Sequence, residues 1–227
     1  PVLPFDRLAL GVPPPALSDE PASDDGPVAP VDPRGFFAQL RYLGQVHRTY
    51  LVCEAAGELV LIDQHAAHER VAFERLRLAH QARTVRTQRL LFPHLLDLDE
   101  THAAAVAEHG GMLESLGFEI EPLSGRSHAV KTLPEALKEE SIDDTLRDVL
   151  DELSQRGASE VVAERLEHIF ATMACHSVVR AGDVLDERRV RALLDSMDGI
   201  DFRAHCPHGR PVLLRMSIGE LERRFGR

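Results

Sequence analysis

From Gly35 onward the hydrophobic and polar positions fall into a readable order. The stretch "RYLGQVHRTYLVCEAAGELVLID" reads as two strands around a turn at Ala55–Glu58. In the first, Tyr50 and Val52 face one way and Leu51 and Cys53 the other, the period-two pattern of a strand. The second, Leu59 to Ile62, is an unbroken apolar run, as in a strand buried on both faces. Asp63 ends it. From about His65 to His80 Ala, Glu, Arg and Leu dominate without Gly or Pro, which predicts a helix. "QRLLFPHLLDL" is extended, with Pro93 at an edge or strand end. Asp99 to Leu116 is helical and closes at Gly117. "FEIEPL" and "HAVKTLP" read as short strands, followed by helices at about 143–155, 159–180 and 186–197. "GRPVLLRMSI" is a late strand, and Gly219 to Phe225 a short terminal helix. The pattern predicts an α+β fold with strands at both ends of the ordered chain and a helix-rich middle. The segment 95–157 reads as an inserted subdomain.

Composition changes this picture mainly at the start. Residues 1–33 hold nine of the 14 prolines, with Asp, Ser and Ala between them. Such a stretch buries little apolar surface and reads as an extended linker, so a further domain is expected before it. The first residue is not Met, in keeping with a piece of a longer chain. The whole sequence carries a net charge of -11. Residues 1–33 contribute one Arg and six acids, or -5, which leaves -6 for the rest. An acidic body is a poor autonomous binder of nucleic acid, because neutralising phosphates supplies most non-specific affinity. DNA, if it is the substrate, must be delivered by something else. No apolar run spans a bilayer and no secretory signal is evident. Three scattered cysteines, Cys53, Cys175 and Cys206, make no disulfide framework, so a reducing cytoplasm is the expected setting.

The chemistry lies in three places. His65 and Glu69 are four residues apart, so a helix puts them on one face, and Asp63 at the strand end can point at the same space. A carboxylate, an imidazole and a second carboxylate suit Zn²⁺ or Mn²⁺. Taken alone, the set is better explained by a charged solvent face with a capping Asp, since helical His/Glu pairs are far more often surface. Two distant segments add weight to the metal. "ATMACHSVVRAGD" places Cys175 in an apolar helix, and "HCPHGRP" places Cys206 and His208 two apart before a strand. A lone helical Cys is usually a small core residue, but a C-x-H pair offers two soft or borderline ligands. Cys53 has no such company and reads as core. H-E-x-x-H, C-x-x-C and the G-x-x-x-x-G-K-[ST] loop are all absent.

"DQHAAHERVAFE" (Asp63 to Glu74) fits D-Q-H-A-x-x-E-x-x-x-x-E, and "ACHSVVRAGD" and "CPHGRP" follow in order. Together they resemble the nicking-endonuclease C-terminal domain of the MutL mismatch-repair family, over roughly Gly35 to Arg227. The resemblance implies a core dimerisation subdomain (34–94 and 158–227), a helix-rich outer subdomain (95–157) and a linker at 1–33 toward the family's ATP-binding N-terminal domain. It implies metal ligands His65, Glu69, Cys175, Cys206 and His208, with Asp63 and Glu69 as catalytic residues. Glu74 closes the motif but points away around the helix, and carries over only as a supporting residue. His68 falls at a variable position and is expected in solvent. The thiols favour Zn²⁺ at one position, while nicking in the family is supported by Mn²⁺. Phosphodiester hydrolysis needs an activated water and charge relief on the phosphoryl and leaving oxygens, which metal ions supply.

"QRLLFP" resembles Q-x-L-[LI]-x-P, the peptide that docks on the replicative sliding clamp, with Gln88, Leu90, Leu91 and Pro93 as the contact residues. The same segment is otherwise an edge strand packed inward. The implied partners are a second copy of the chain, double-stranded DNA, the sliding clamp, and the mismatch sensor MutS through the N-terminal part. No membrane is implied, and the implied location is the bacterial cytoplasm at the nucleoid. Two rivals stay open: a non-catalytic dimerisation module with a structural or regulatory zinc, and a zinc hydrolase of small molecules.

Overall fold

The computed structural model describes residues 35–155, 162–177, 184–200, 202 and 211–227. The first hairpin is larger than the hydrophobic pattern implies. The chain runs out as β1 (Arg41–Val46), back as β2 (Tyr50–Ala55) and out again as β3 (Glu58–Asp63). The extra reversal falls at His47 and Arg48, both with positive φ (52° and 53°), and is closed by Thr49 N–H donating to Val46 O at 3.0 Å. Two consecutive left-handed residues match the twist of a tight hairpin. Neither is Gly or Asn, so the composition of "VHRT" carries no turn signal, and the reversal is invisible in the sequence pattern. The strand β7 (Leu213–Ser217) pairs antiparallel with β3, giving the order β1-β2-β3-β7.

One face of this sheet is closed. Leu51, Cys53, Val60 and Ile62 are fully buried against Ala66, Ala67 and Val71 of α1 (Gln64–Gln81) and against Val190, Leu193, Leu194 and Met197 of α5 (Glu187–Met197). Burial pushes the Cys53 thiol up to about 11, as fits its reading as a core residue. Asp198, just after α5, accepts from Phe37 N–H and Ala38 N–H, both at 2.8 Å. Gly35 touches the same carboxylate so closely that a Cβ there would sit 2.1 Å from Asp198 Cγ. The expectation that Leu59–Ile62 is covered on both faces needs correction. Leu59 and Leu61 are only half-buried, because both helices lie on the other side of the sheet.

The second core is built around a three-stranded sheet of order β4-β6-β5, with β4 (Thr87–Asp97), β5 (Glu119–Ser124) and β6 (Ser127–Pro134). Against it pack α2 (Glu100–Leu116), α3 (Ile142–Gln155) and α4 (Val162–Ser177). Asp99 caps α2 by accepting from His102 N–H at 2.8 Å. Gly117 ends it at φ +103°, where a Cβ would meet Thr87 Cγ2 at 2.9 Å, so the predicted stop is doubly a glycine site. Three His–Asp pairs tie the acidic helix α3 to its neighbours: His94–Asp143 from β4, His102–Asp151 (2.9 Å) from α2 and His176–Asp148 (2.7 Å) from α4. This second core draws on residues from Phe73 to Ala174, a wider span than 95–157. It takes in β4 and α4.

Helix α1 serves both cores. Its first half packs on the four-stranded sheet, and Phe73 and Leu76 in its second half join the other core, with Phe73 edge-on to Phe170 of α4 at 6.4 Å. A short helix α6 (Ile218–Arg224) follows β7. No helix among the described residues is long and apolar enough to cross a membrane.

Candidate metal centre

The N-terminus of α1 is fixed from three sides. Asp63 Oδ1 accepts from His65 N–H (2.9 Å) and Ala66 N–H (3.0 Å), a helix cap. Asp63 N–H donates to Val212 O beside β7, and Gln64 N–H donates to Thr49 O in the first turn, both at 2.9 Å. Gln64 itself is buried, and its Oε1 accepts from Gln45 Nε2 of β1 at 2.6 Å. The glutamine of the first motif is therefore a strut, a role that sequence reasoning leaves unassigned. Its signal is positional: residues 64, 67 and 71 share one helical face, and 67 and 71 are apolar.

This anchoring presents His65 and Glu69 one turn apart, with His65 Nε2 3.2 Å from Glu69 Oε1. Glu69 is 6% exposed. His65 Nδ1 is buried and has no hydrogen-bond partner, which is costly unless something else satisfies it. Across the helix pair, α4 brings Cys175 to the same carboxylate. Cys175 is an exposed residue, yet its thiol lies above its ordinary pKa. Partial burial around the sulfur contributes most, followed by the charge of Glu69 and a hydrogen bond to it. Three of the expected ligands, from two elements far apart in sequence, thus share one neighbourhood. Among the described residues no three His, Cys, Asp or Glu side chains converge closely enough to hold a metal by themselves. The set expected from the sequence is completed by Cys206 and His208, which lie outside the described residues. The donors present, an imidazole whose Nε2 faces Glu69, a carboxylate and a thiol, suit a zinc-like ion.

The remaining acids and histidines of these segments are accounted for otherwise. Glu74 is 8% exposed, and both its oxygens are engaged: Oε1 by Arg70 (2.7 Å) and Oε2 by Arg77 (2.8 Å). It is a buried ion-pair partner turned away from Glu69. His68 is half-buried, contrary to expectation. Its Nδ1 lies 2.7 Å from Gln64 O, and burial pulls its pKa down. His176 is occupied by Asp148.

The segment 88–93 has a geometry of its own. β4 is an edge strand, paired with β6 alone, and its register shifts between Arg89 and His94. The residues in between leave the ladder, as a proline at 93 requires. Leu91 is 89% and Phe92 80% exposed, and Pro93 is exposed as well, with Gln88 half-buried at the start. Leu90 departs from the expectation. It is 8% exposed and belongs to the second core, so it anchors the segment, and Phe92, which the motif leaves unspecified, projects instead.

The description "MutL C terminal dimerisation domain" matches residues 43–185. Among curated relatives, a protein named DNA mismatch repair protein MutL from Pelobacter propionicus is 44% identical over 215 residues, covering 95% of this chain and 34% of the relative. Its namesake from Anaeromyxobacter dehalogenans is 46% identical over 208 residues (91% and 34%). That from Geobacter sulfurreducens is 46% identical over 193 residues (85% and 32%). The chain spans about a third of the length of these relatives. A match across most of the described fold, with the α+β architecture expected of it, places this chain in the family of MutL C-terminal dimerisation domains.

Proposed function

We propose that this chain is the dimeric nicking domain of a DNA mismatch-repair protein, a metal-dependent phosphodiester hydrolase acting on double-stranded DNA. The observation that carries the reading is the meeting of Glu69 with both Cys175 and His65 Nε2. The relatives' name supports the repair role. On this reading His65, Glu69, Cys175, Cys206 and His208 hold Zn²⁺ or Mn²⁺. When bound, the ion supplies charge relief at the phosphoryl group. Asp63 has one oxygen committed to the helix cap, and the other has no protein donor among the described residues. That second oxygen is free to orient the attacking water and accept its proton. Glu69, nearly buried and beside two further donors, keeps its carboxylate aimed at the site. On this reading the first core belongs to the dimerisation subdomain, and the second joins the outer subdomain to the end of α1, β4 and α4. ATP binding and the contact with MutS belong to the part of the relatives' length that this chain does not span. The work is done in the cytoplasm, at the nucleoid.

Docking on the sliding clamp is part of the same proposal. The looped-out, exposed Leu91, Phe92 and Pro93 have the form of an apolar plug beside Gln88, and tethering would raise the effective concentration of an acidic nuclease on DNA.

One observation favours the rival reading of a non-catalytic module with a structural zinc: capping α1 already explains Asp63. The two separate with a supercoiled plasmid and Mn²⁺. Asn caps a helix about as well as Asp, so Asp63→Asn keeps the fold and removes the charge. Wild type is expected to nick and Asp63→Asn to lose nicking at unchanged thermal midpoint. Equal nicking by both, or none by wild type even with clamp present, would reject the nuclease. Asp63→Ala removes the cap as well and should cost about 1 kcal/mol of stability.

A further inference from the structure

Against a net charge of -11, the 22 residues from Arg75 to Leu96 hold five arginines and two histidines and no Asp or Glu. They form the second half of α1, the loop after it and most of β4. A cleft of about 630 Å³ runs along them. His68 and Ser177 line it, on the two helices that carry the candidate ligands, His68 next to Glu69 in α1 and Ser177 two residues beyond Cys175 in α4. Arg75 and Arg86 line it as well, over a floor that includes Val71 and Val85. Beside it a second depression, of about 580 Å³ and also lined by Val85, carries His80 and Arg83.

Most of these arginines are uncompensated. Arg83 and Arg89 have no carboxylate partner among the described residues. The Arg86 side chain is 85% exposed, and its nearest carboxylate, Glu135, is 3.9 Å away. Arg75 donates to a neutral group, Ser196 Oγ, at 2.7 Å. Arg77 is the exception, committed to Glu74. Two acids, Glu135 and Glu114, also line these depressions. A phosphate at contact responds to charges within a Debye length, about 8 Å at physiological ionic strength. Local cations therefore outweigh the distant acids that make the chain negative.

We infer that this arginine-bearing surface is the DNA-binding face of the domain: Arg75 and Arg86 in the cleft and Arg83 in the depression beside it hold the phosphate backbone of a duplex and bring one strand to the candidate centre. The inference rests on the nicking reading for its substrate. A broad face of separated arginines, spread over two depressions and a sheet edge, fits a repeating backbone better than a single acidic peptide side chain.

The test is fluorescence anisotropy of the 227-residue chain on a short labelled duplex, without added Mn²⁺, across a series of salt concentrations. Arg83 has φ 54°, so Arg83→Gly removes charge where glycine is at ease, and it is combined with Arg86→Gln. The expected result is affinity about tenfold weaker and a salt slope shallower by about two, with thermal midpoint and zinc content unchanged. The charge-matched double variant Arg188→Gln/Arg189→Gln, on exposed positions of α5, should bind as wild type. Equal weakening by both doubles, or wild-type affinity and slope in the first, would overturn the inference. So would arginine-dependent binding of polyglutamate with none of duplex. Nicking by wild type alongside unaltered binding by Arg83→Gly/Arg86→Gln sinks this inference alone. Arginine-dependent binding without any nicking sinks the nuclease reading alone.

Discussion

Glu74 shows how a motif residue can be essential to the helix without touching the chemistry. Its carboxylate is nearly buried between Arg70 and Arg77, and Arg70 also lies over the Phe73 ring at 5.4 Å. Removing the charge leaves two partly buried guanidinium groups without their counter-ion, which costs more than the pair itself is worth. Glu74→Gln should therefore lose about 2 kcal/mol of stability while bound zinc, measured on the purified protein, stays at the wild-type level. Loss of zinc with stability intact would make Glu74 part of the metal site. The sequence offered the right hint here, because five residues beyond Glu69 a helix has turned the side chain well away. It offered none for His68, which is sheltered by the cleft between α1 and β6 and held at the Gln64 carbonyl. That shelter comes from an element distant in the chain.

At the scale of the element, β4 divides its labour between neighbouring leucines. Leu90 is inside the second core, and Leu91 and Phe92 stand in solvent on the excursion that the register shift creates. Leu90→Ala should destabilise the protein by about 2–4 kcal/mol. Leu91→Ala/Phe92→Ala should leave the thermal midpoint within about a degree, because neither side chain is buried. On the clamp reading the double variant abolishes binding to purified sliding clamp, read by surface plasmon resonance. Retained clamp binding in that variant, with Leu90 still in the core, would remove the docking role from this segment. The helices of the fold were legible because caps and stops announce them: Asp63, Asp99 and Asp186 each accept from a first-turn N–H, and Gly117 closes α2. The division of the first hairpin into β1 and β2 was not, since His47 and Arg48 are held in left-handed geometry by the strands that flank them.

For the whole molecule, the open question of the first sheet is what covers its other face. Val52, Leu61 and Leu214 are laterally paired across β2, β3 and β7, and Leu59 and Met216 form the next rung. Leu214 is 53% exposed, with Val46 (49%) and Tyr50 (46%) on the same sheet. A continuous apolar rung in water marks an interaction surface, and the family to which the chain belongs is described by dimerisation. If a second copy covers this face, Leu214→Glu should reduce the mass by light scattering to that of one chain, 25.2 kDa, and make the thermal midpoint independent of protein concentration. A variant that stays dimeric would place the interface elsewhere. By itself the sequence determined the α+β class, most element positions, the core role of Cys53 and the residue types able to hold a metal. These depend on local periodicity, capping and side-chain chemistry, which act over a few residues. Only the tertiary structure decided that α1 bridges two cores, that Glu69 meets Cys175, that Leu90 turns inward while Phe92 turns outward, and that Arg75 and Arg86 line one cleft with His68 and Ser177. Each of those depends on which distant segment packs against which face, and periodicity within one segment carries no information about its partner.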